Sequence, residues 1–186
     1  MAIQIAVCGP AEASEQECDH ARQVGKLLAR RGAVVICGGY GGVMAAVAAG
    51  AREADGTVVG VLSRADREDA NPDLTIAIPT GMGQARNVVI INSADAVIAV
   101  GGSWGTMSEV ALALRRGTAP VVCLGGWHVD GDDGRPVPTG PVYVLTPDEA
   151  VDEALARLNS GRNTGPDPAA EPNGQPDPAV RPASPG

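Results

Sequence analysis

Short apolar runs alternate along most of the chain with longer segments whose apolar residues recur at helical spacing. Residues 3–8, 33–37, 57–62, 74–78, 94–100, 120–124 and 142–145 are rich in Val, Ile, Ala and Leu and are bounded by Gly, Pro or polar residues, the signature of buried strands. Between them, residues 14–31, 43–54, 84–93, 106–116 and 148–158 read as helices. The first has Ala21, Val24, Leu27 and Leu28 on one face. Ser14 and Glu17 stand at capping-box spacing before it, and Gly32 closes it. The second, MAAVAAGA, has small side chains that allow close packing on a sheet. The fourth ends in Arg115 and Arg116 with Gly117 behind them, and Thr146-Pro147 opens the last. Residues 63–73 and 125–140 are polar or rich in Gly, Asp and Pro, and read as loops.

Regular alternation of strand and helix predicts an α/β fold: a single doubly wound, Rossmann-like domain over residues 1–158, with a mostly parallel sheet of six to seven strands and helices on both faces. Composition sharpens this expectation. Aromatic residues make up 2% of the 186 residues and Phe is absent, so the core is built from aliphatic side chains, as in a parallel sheet between Ala-rich helices. Residues 159–186 are dominated by Pro, Gly and small polar residues and are expected to form a disordered tail. A formal net charge of −8 argues against nucleic acid or an anionic membrane as partner, but not against a small anion held by backbone N–H groups. No apolar segment is long enough to span a bilayer, and residues 1–10 show no basic leader, so the expected location is cytoplasmic. Cys8, Cys18, Cys37 and Cys123 form no C-x-x-C pair and read as free thiols. His20 and His128 are far apart, and no metal-ligand cluster or cofactor motif is present.

Candidate chemistry gathers at the strand ends, where open α/β sheets bind ligands. Glycine turns follow the first, second and fifth strands (Gly9; Gly38 to Gly42, with Gly39, Gly41 and Gly42; Gly101, Gly102, Ser103, Trp104, Gly105 and Thr106). A fourth, Gly81-Met82-Gly83, precedes the segment with Arg86. One such turn is ordinary tight geometry, whereas four on one face favour backbone approach to a phosphate and ribose. The turns are not a dinucleotide fingerprint: counted from Gly39, Met44 occupies the place of the third Gly. The Gly-Lys-Ser/Thr of a P-loop is missing as well. Residues 101–109, GGSWGTMSE, place a helix N-terminus after a strand, which is an anion site, with Glu109 in the expected first turn. A carboxylate there repels a phosphate, so it faces a neutral or developing positive centre. Thr106 reads equally as an N-cap, and Trp104 equally as a packed loop residue or a stacking surface.

The stretch from Gly101 to Glu109, with one more residue between its glycine pair and Gly105-Thr106, resembles the GGxGTxxE motif of the LOG family, once misnamed lysine decarboxylases, which includes cytokinin riboside 5′-monophosphate phosphoribohydrolases. CGGYGGVMAAVAAGA (residues 37–51), TGMGQARN (80–87) and SADAVIAVGG (93–102) look most like a bacterial branch that includes molybdenum cofactor carriers. The resemblance implies that Gly102, Gly105 and Thr106 hold a phosphate, that Glu109 is catalytic and that Arg86 works with it. It also implies a homodimer or larger homo-oligomer. Ala85, Asn87 and Ser108 depart from the enzymes, which have an acidic residue before the Arg, a Lys after it, and an acidic residue before the Glu. Two readings follow. One is a nucleoside 5′-monophosphate phosphoribohydrolase releasing free base and ribose 5-phosphate. The other is a non-catalytic carrier or sensor of a phosphorylated cofactor. A decarboxylase is excluded, because Lys26 sits in the first amphipathic helix, away from any site for a Schiff base.

Overall fold

The computed structural model describes residues 1–163, without the side chains of 161–163. Seven strands, β1 (Gln4–Cys8), β2 (Val34–Cys37), β3 (Val58–Leu62), β4 (Ile76–Pro79), β5 (Ala96–Val100), β6 (Val121–Leu124) and β7 (Val142–Val144), form one sheet in the order β4-β3-β2-β1-β5-β6-β7. Every pairing is parallel. Among the described residues five α-helices flank the sheet, four of them between strands and the last after β7: α1 (Glu15–Arg30), α2 (Val43–Arg52), α3 (Asn87–Asn92), α4 (Trp104–Arg116) and α5 (Pro147–Asn163). The expected doubly wound fold is therefore present, with the sheet wholly parallel. Strand order reverses between β1 and β5, which pair through Ile5 to Cys8 and Ala96 to Ala99. Crossovers leave in opposite directions from that point, opening a crevice beyond the carboxyl ends of the two strands.

Two aliphatic layers cover the sheet. Side chains of α1, α2 and α5 pack with Ile5, Val7, Val35 and Ile98 on one face. Side chains of α3 and α4 pack with Ala6, Ile36, Val97 and Ala99 on the other. β5 is buried on both faces along its whole length, which explains its unbroken apolar run. The small residues of α2 serve helix-to-helix contact above all. A Cβ on Gly50 would stand 1.9 Å from the Arg22 carbonyl oxygen, and one on Gly25 would stand 2.1 Å from that of Val47. α1 and α2 touch backbone to backbone at these positions.

Boundaries differ from expectation in three places that matter. Residues 84–93 do not form one helix: a 3-10 turn, Gly83–Arg86, precedes α3. α4 starts two residues earlier than expected. α5 continues to Asn163, past the expected end at residue 158, and the rest of the expected tail lies outside the described residues. No helix among the described residues is long and apolar enough to cross a membrane.

Candidate functional site

The site begins where β5 leaves the core. Gly101, at φ +68°, turns the chain, and Ser103 becomes the N-cap of α4, its Oγ accepting the Thr106 N–H at 3.1 Å. The Ser103 and Thr106 hydroxyls lie 2.9 Å apart. Thr106 is thus the third residue of the helix and not its cap, and Glu109 falls in the second turn, where the first was expected. This placement removes the helix dipole as the reason for an acid here, since that effect fades within the first turn. Thr106 and Glu109, three residues apart on a helix, share one face.

That face looks into a cavity of about 210 Å³ at the sheet's crossover point. Cys8 and Gly9 at the end of β1, Gly38 at the end of β2, Met44 on α2, and Gln84, Arg86 and Asn87 enclose the remaining sides. Glu109 is only 8% exposed. Burial raises its carboxyl to a pKa of about 7, against the opposing pull of the Arg86 guanidinium and of a hydrogen bond from the Cys8 thiol. The thiol is pushed well above its ordinary value by its own burial and by the facing carboxylate. Glu109 therefore exchanges its proton near neutrality, while Cys8 stays a neutral donor.

Arg86 is held from below. Its Nη1 donates to the Val61 carbonyl on β3 at 3.1 Å, and its guanidinium carbon stands 6.0 Å from the centre of the Tyr40 ring. Tyr40 is itself pinned, its hydroxyl accepting the N–H groups of Ser63 and Arg64 at 3.0 and 3.2 Å. The Arg86 Nε has no partner. The 3-10 turn that displaced the expected helix is what swings Arg86 inward, making it a buried cation instead of a solvated helix residue.

Of the residues singled out in the sequence, Gly9, Arg86, Ser103, Gly105, Thr106 and Glu109 line this cavity together. Gly39, Gly41, Gly42, Gly101, Gly102 and Trp104 do not line it. Gly39, at φ +76°, lies against Leu62 and Leu74. Gly42 caps α2 beneath the Pro10 carbonyl, which accepts the Val43 N–H at 3.0 Å, and Gly41 is exposed beside it. Gly101 and Gly102 line a crevice of about 10 Å³ on the far side of the turn, beneath Trp127, large enough only for one water. Trp104 is 79% exposed, lies outside this cavity's lining and meets Trp127 edge to face at 4.8 Å. Cys8, Gly38, Met44, Gln84 and Asn87 also line the cavity and were not named as site residues from the sequence, although Cys8 and Gly38 open two of the glycine turns. Cys8 and Gly38 are legible as strand-end positions, whereas Met44, Gln84 and Asn87 stood in the stretches that carry the family resemblance without being singled out as site residues. Among the described residues, no group of three or more His, Cys, Asp or Glu side chains is placed to hold a metal.

Comparison with known proteins places this geometry among relatives. The model of the SLOG cluster4 family matches residues 2–150. An uncharacterized protein of Archaeoglobus fulgidus is 48% identical over 115 residues, 62% of this chain and 76% of its own length. A cytokinin riboside 5′-monophosphate phosphoribohydrolase of Mycobacterium tuberculosis is 29% identical over 167 residues, 80% of this chain and 89% of that protein. Among solved structures, the molybdenum cofactor binding protein of Rippkaea orientalis superposes with a TM-score of 0.76 at 31% identity, covering 85% of this chain and 98% of that one. The molybdenum cofactor carrier protein of Chlamydomonas reinhardtii gives 0.72 at 31% identity, covering 86% and 99%.

Proposed function

The chain belongs to the SLOG cluster4 family, and from that premise we propose that it binds a nucleoside 5′-monophosphate in the crossover cavity and hydrolyses its N-glycosidic bond. The observation that carries this reading is Glu109: a buried carboxyl, one helical turn from Thr106 in the same polar cavity, with a pKa of about 7. A group retained at such cost in desolvation and titrating near neutrality fits a proton-moving role. The phosphate lies against the N-terminal N–H groups of α4 with the Ser103 and Thr106 hydroxyls, and this anchoring positions the sugar. Ionised Glu109 stabilises the positive charge that develops on the ribose ring and takes a proton from the attacking water. The new bond forms between that water's oxygen and C1′. The C1′–N bond breaks and its electron pair leaves with the base; the proton that Glu109 took from the water passes to the base nitrogen through solvent, so that neutral base and ribose 5-phosphate are the products and Glu109 is ionised again. The relative from Mycobacterium tuberculosis supports this chemistry by its name.

A panel of nucleoside 5′-monophosphates, AMP and its N6-isopentenyl analogue included, tests the reading by chromatography of free base and ribose 5-phosphate. Wild type is expected to release base, at a rate that rises as pH passes about 7 and Glu109 ionises. Glu109→Gln is expected to bind without turnover. Saturable binding with no release by wild type overturns hydrolysis and favours the second reading, a carrier of a phosphorylated cofactor. Two observations support that alternative: the 31% identity to molybdenum cofactor proteins over nearly their whole length, and the neutral Asn87 that follows Arg86.

The reading includes a homo-oligomer. Ile76 and Ile78, 49% and 44% exposed on edge strand β4, support burial against a second copy. Light scattering tests this, and a monomeric mass overturns it.

A further inference from the structure

Aromatic side chains are scarce in this chain, which has two Trp, two Tyr and no Phe. Neither Trp belongs to the aliphatic core. Both Trp and one Tyr gather instead at one corner, beyond the ends of β5 and β6. Trp104 opens α4, Trp127 follows β6, and both are exposed. Their rings meet at 4.8 Å with planes 78° apart, which makes a notch with two nearly perpendicular walls. Trp127 and Tyr143 line the same narrow crevice, and His128 stacks on Tyr143 at 4.0 Å. Large rings left in water in mutual contact mark a surface that something covers.

The chain carries a segment that fits this corner. Residues 164–186 lie outside the described residues and hold seven of the 15 Pro. Residues 181–185 read RPASP. Two Pro three residues apart stand on one face of a polyproline II helix, whose turn is three residues, and aromatic notches are what such a face packs into. Arg181 is the one basic residue in 164–186. The loop that carries Trp127 also carries the exposed Asp130 and Asp132, which have no cation partner among the described residues, whereas Asp133 faces Arg135. Opposite charges therefore orient the segment on the corner. Its reach suffices. α5 leaves the corner's end of the sheet after β7 and carries the chain about 25 Å away. Residues 164–180 span about 50 Å when extended as polyproline II, enough to return around the sheet edge. A second copy is the poorer occupant. Two Trp side chains supply at most about 500 Å², short of the roughly 800 Å² a side that a stable dimer buries.

We propose that the Trp104–Trp127 corner is a docking surface for residues 181–185 of the same chain, with Pro182 and Pro185 against the two indoles and Arg181 toward Asp130 and Asp132. The inference stands apart from the nucleotide reading. Ser103 and Gly105, on either side of Trp104, line the crossover cavity, so the docked segment lies at its rim.

Trp104 and Trp127 are the chain's two Trp, so the intrinsic emission of the full-length protein reads the corner directly. The full-length Pro182→Ala/Pro185→Ala variant is expected to emit further to the red than wild type and to be quenched more strongly by acrylamide. The difference is expected at every protein concentration, because the contact is intramolecular. Arg181→Glu is expected to shift emission the same way. Pro166→Ala/Pro168→Ala, close to the end of α5, is expected to match wild type. None of these substitutions touches the packed core, so each reads docking and not folding. Identical emission and quenching in wild type and the Pro182/Pro185 variant overturns the inference and leaves the corner to a flat ring of a small ligand. A difference that vanishes on dilution overturns it in favour of contact between copies. An equal shift in the Pro166/Pro168 variant overturns the assignment to residues 181–185.

Discussion

The Arg86 guanidinium occupies the space that a side chain at position 38 would fill. A Cβ built on Gly38 stands 2.3 Å from Nη1, 2.7 Å from Nη2 and 2.5 Å from the Met44 sulfur. Gly38 is thus the floor on which the cavity's buried cation rests. All three contacted atoms are ends of flexible side chains, so they move at modest cost. Gly38→Ala is expected to lower stability by about 1 kcal/mol while displacing Arg86, and so to weaken AMP binding roughly tenfold. Calorimetry beside thermal denaturation checks this; unchanged affinity would show that Arg86 does not meet the ligand.

Glu109 makes stability depend on pH. Its carboxyl titrates at about 7 in the fold against an ordinary 4.5, so the folded state holds the proton more tightly than the unfolded chain. The associated stability is complete below pH 4.5 and is lost as pH rises to about 7. The loss is on the order of 3 kcal/mol for a shift of this size. Glu109→Gln, which stays neutral, is expected to match wild type at pH 5 and to be the more stable protein at pH 8. Urea denaturation at the two pH values would expose an error in the sign as a Gln variant weaker at pH 8.

Ser103 joins stability to binding. Its Oγ caps α4 and touches the Thr106 hydroxyl, so Ser103→Ala is expected to cost about 1 kcal/mol. The same change removes a hydroxyl from the proposed phosphate cradle. Paired denaturation and AMP titration should show both losses. A loss of stability with affinity intact would confine Ser103 to capping.

Gly101 couples the β5 turn to the start of α1. A Cβ there would stand 1.9 Å from Glu17 Oε1, and the other oxygen of that carboxylate accepts the Ser14 N–H at 2.8 Å in the capping box. Gly101→Ala combines a left-handed backbone at φ +68° with the expulsion of Glu17. The expected cost is about 2–3 kcal/mol. Adding Glu17→Gln or Glu17→Ala should show non-additivity in a double-mutant cycle. Strict additivity would mean that the two residues do not interact.

The sequence by itself determined the seven strands, the two-sided helix cover and the strand ends from which the candidate cavity is built, because each rests on local information. Buried parallel strands need continuous apolar runs, as in β5, and helices need a periodic face, as in α1 with Ser14 and Glu17 at its start. The strand ends must turn, so glycines mark them. Tertiary structure decided which of those glycines meet the cavity and which serve packing, since Gly9 and Gly101 follow strands alike and differ only in what lies across from them. It decided that α4 starts at Trp104, because the Ser103 hydroxyl outcompetes that of Thr106 for the cap. It also converted Arg86 from a residue on an expected helix into a buried cation over Gly38 and near Glu109. These partners stand far apart in the chain, and their meeting depends on how β1, β2, the 3-10 turn and α4 converge. Helical or strand periodicity carries no record of that convergence, because local pattern specifies which face is buried and not what the buried face will touch.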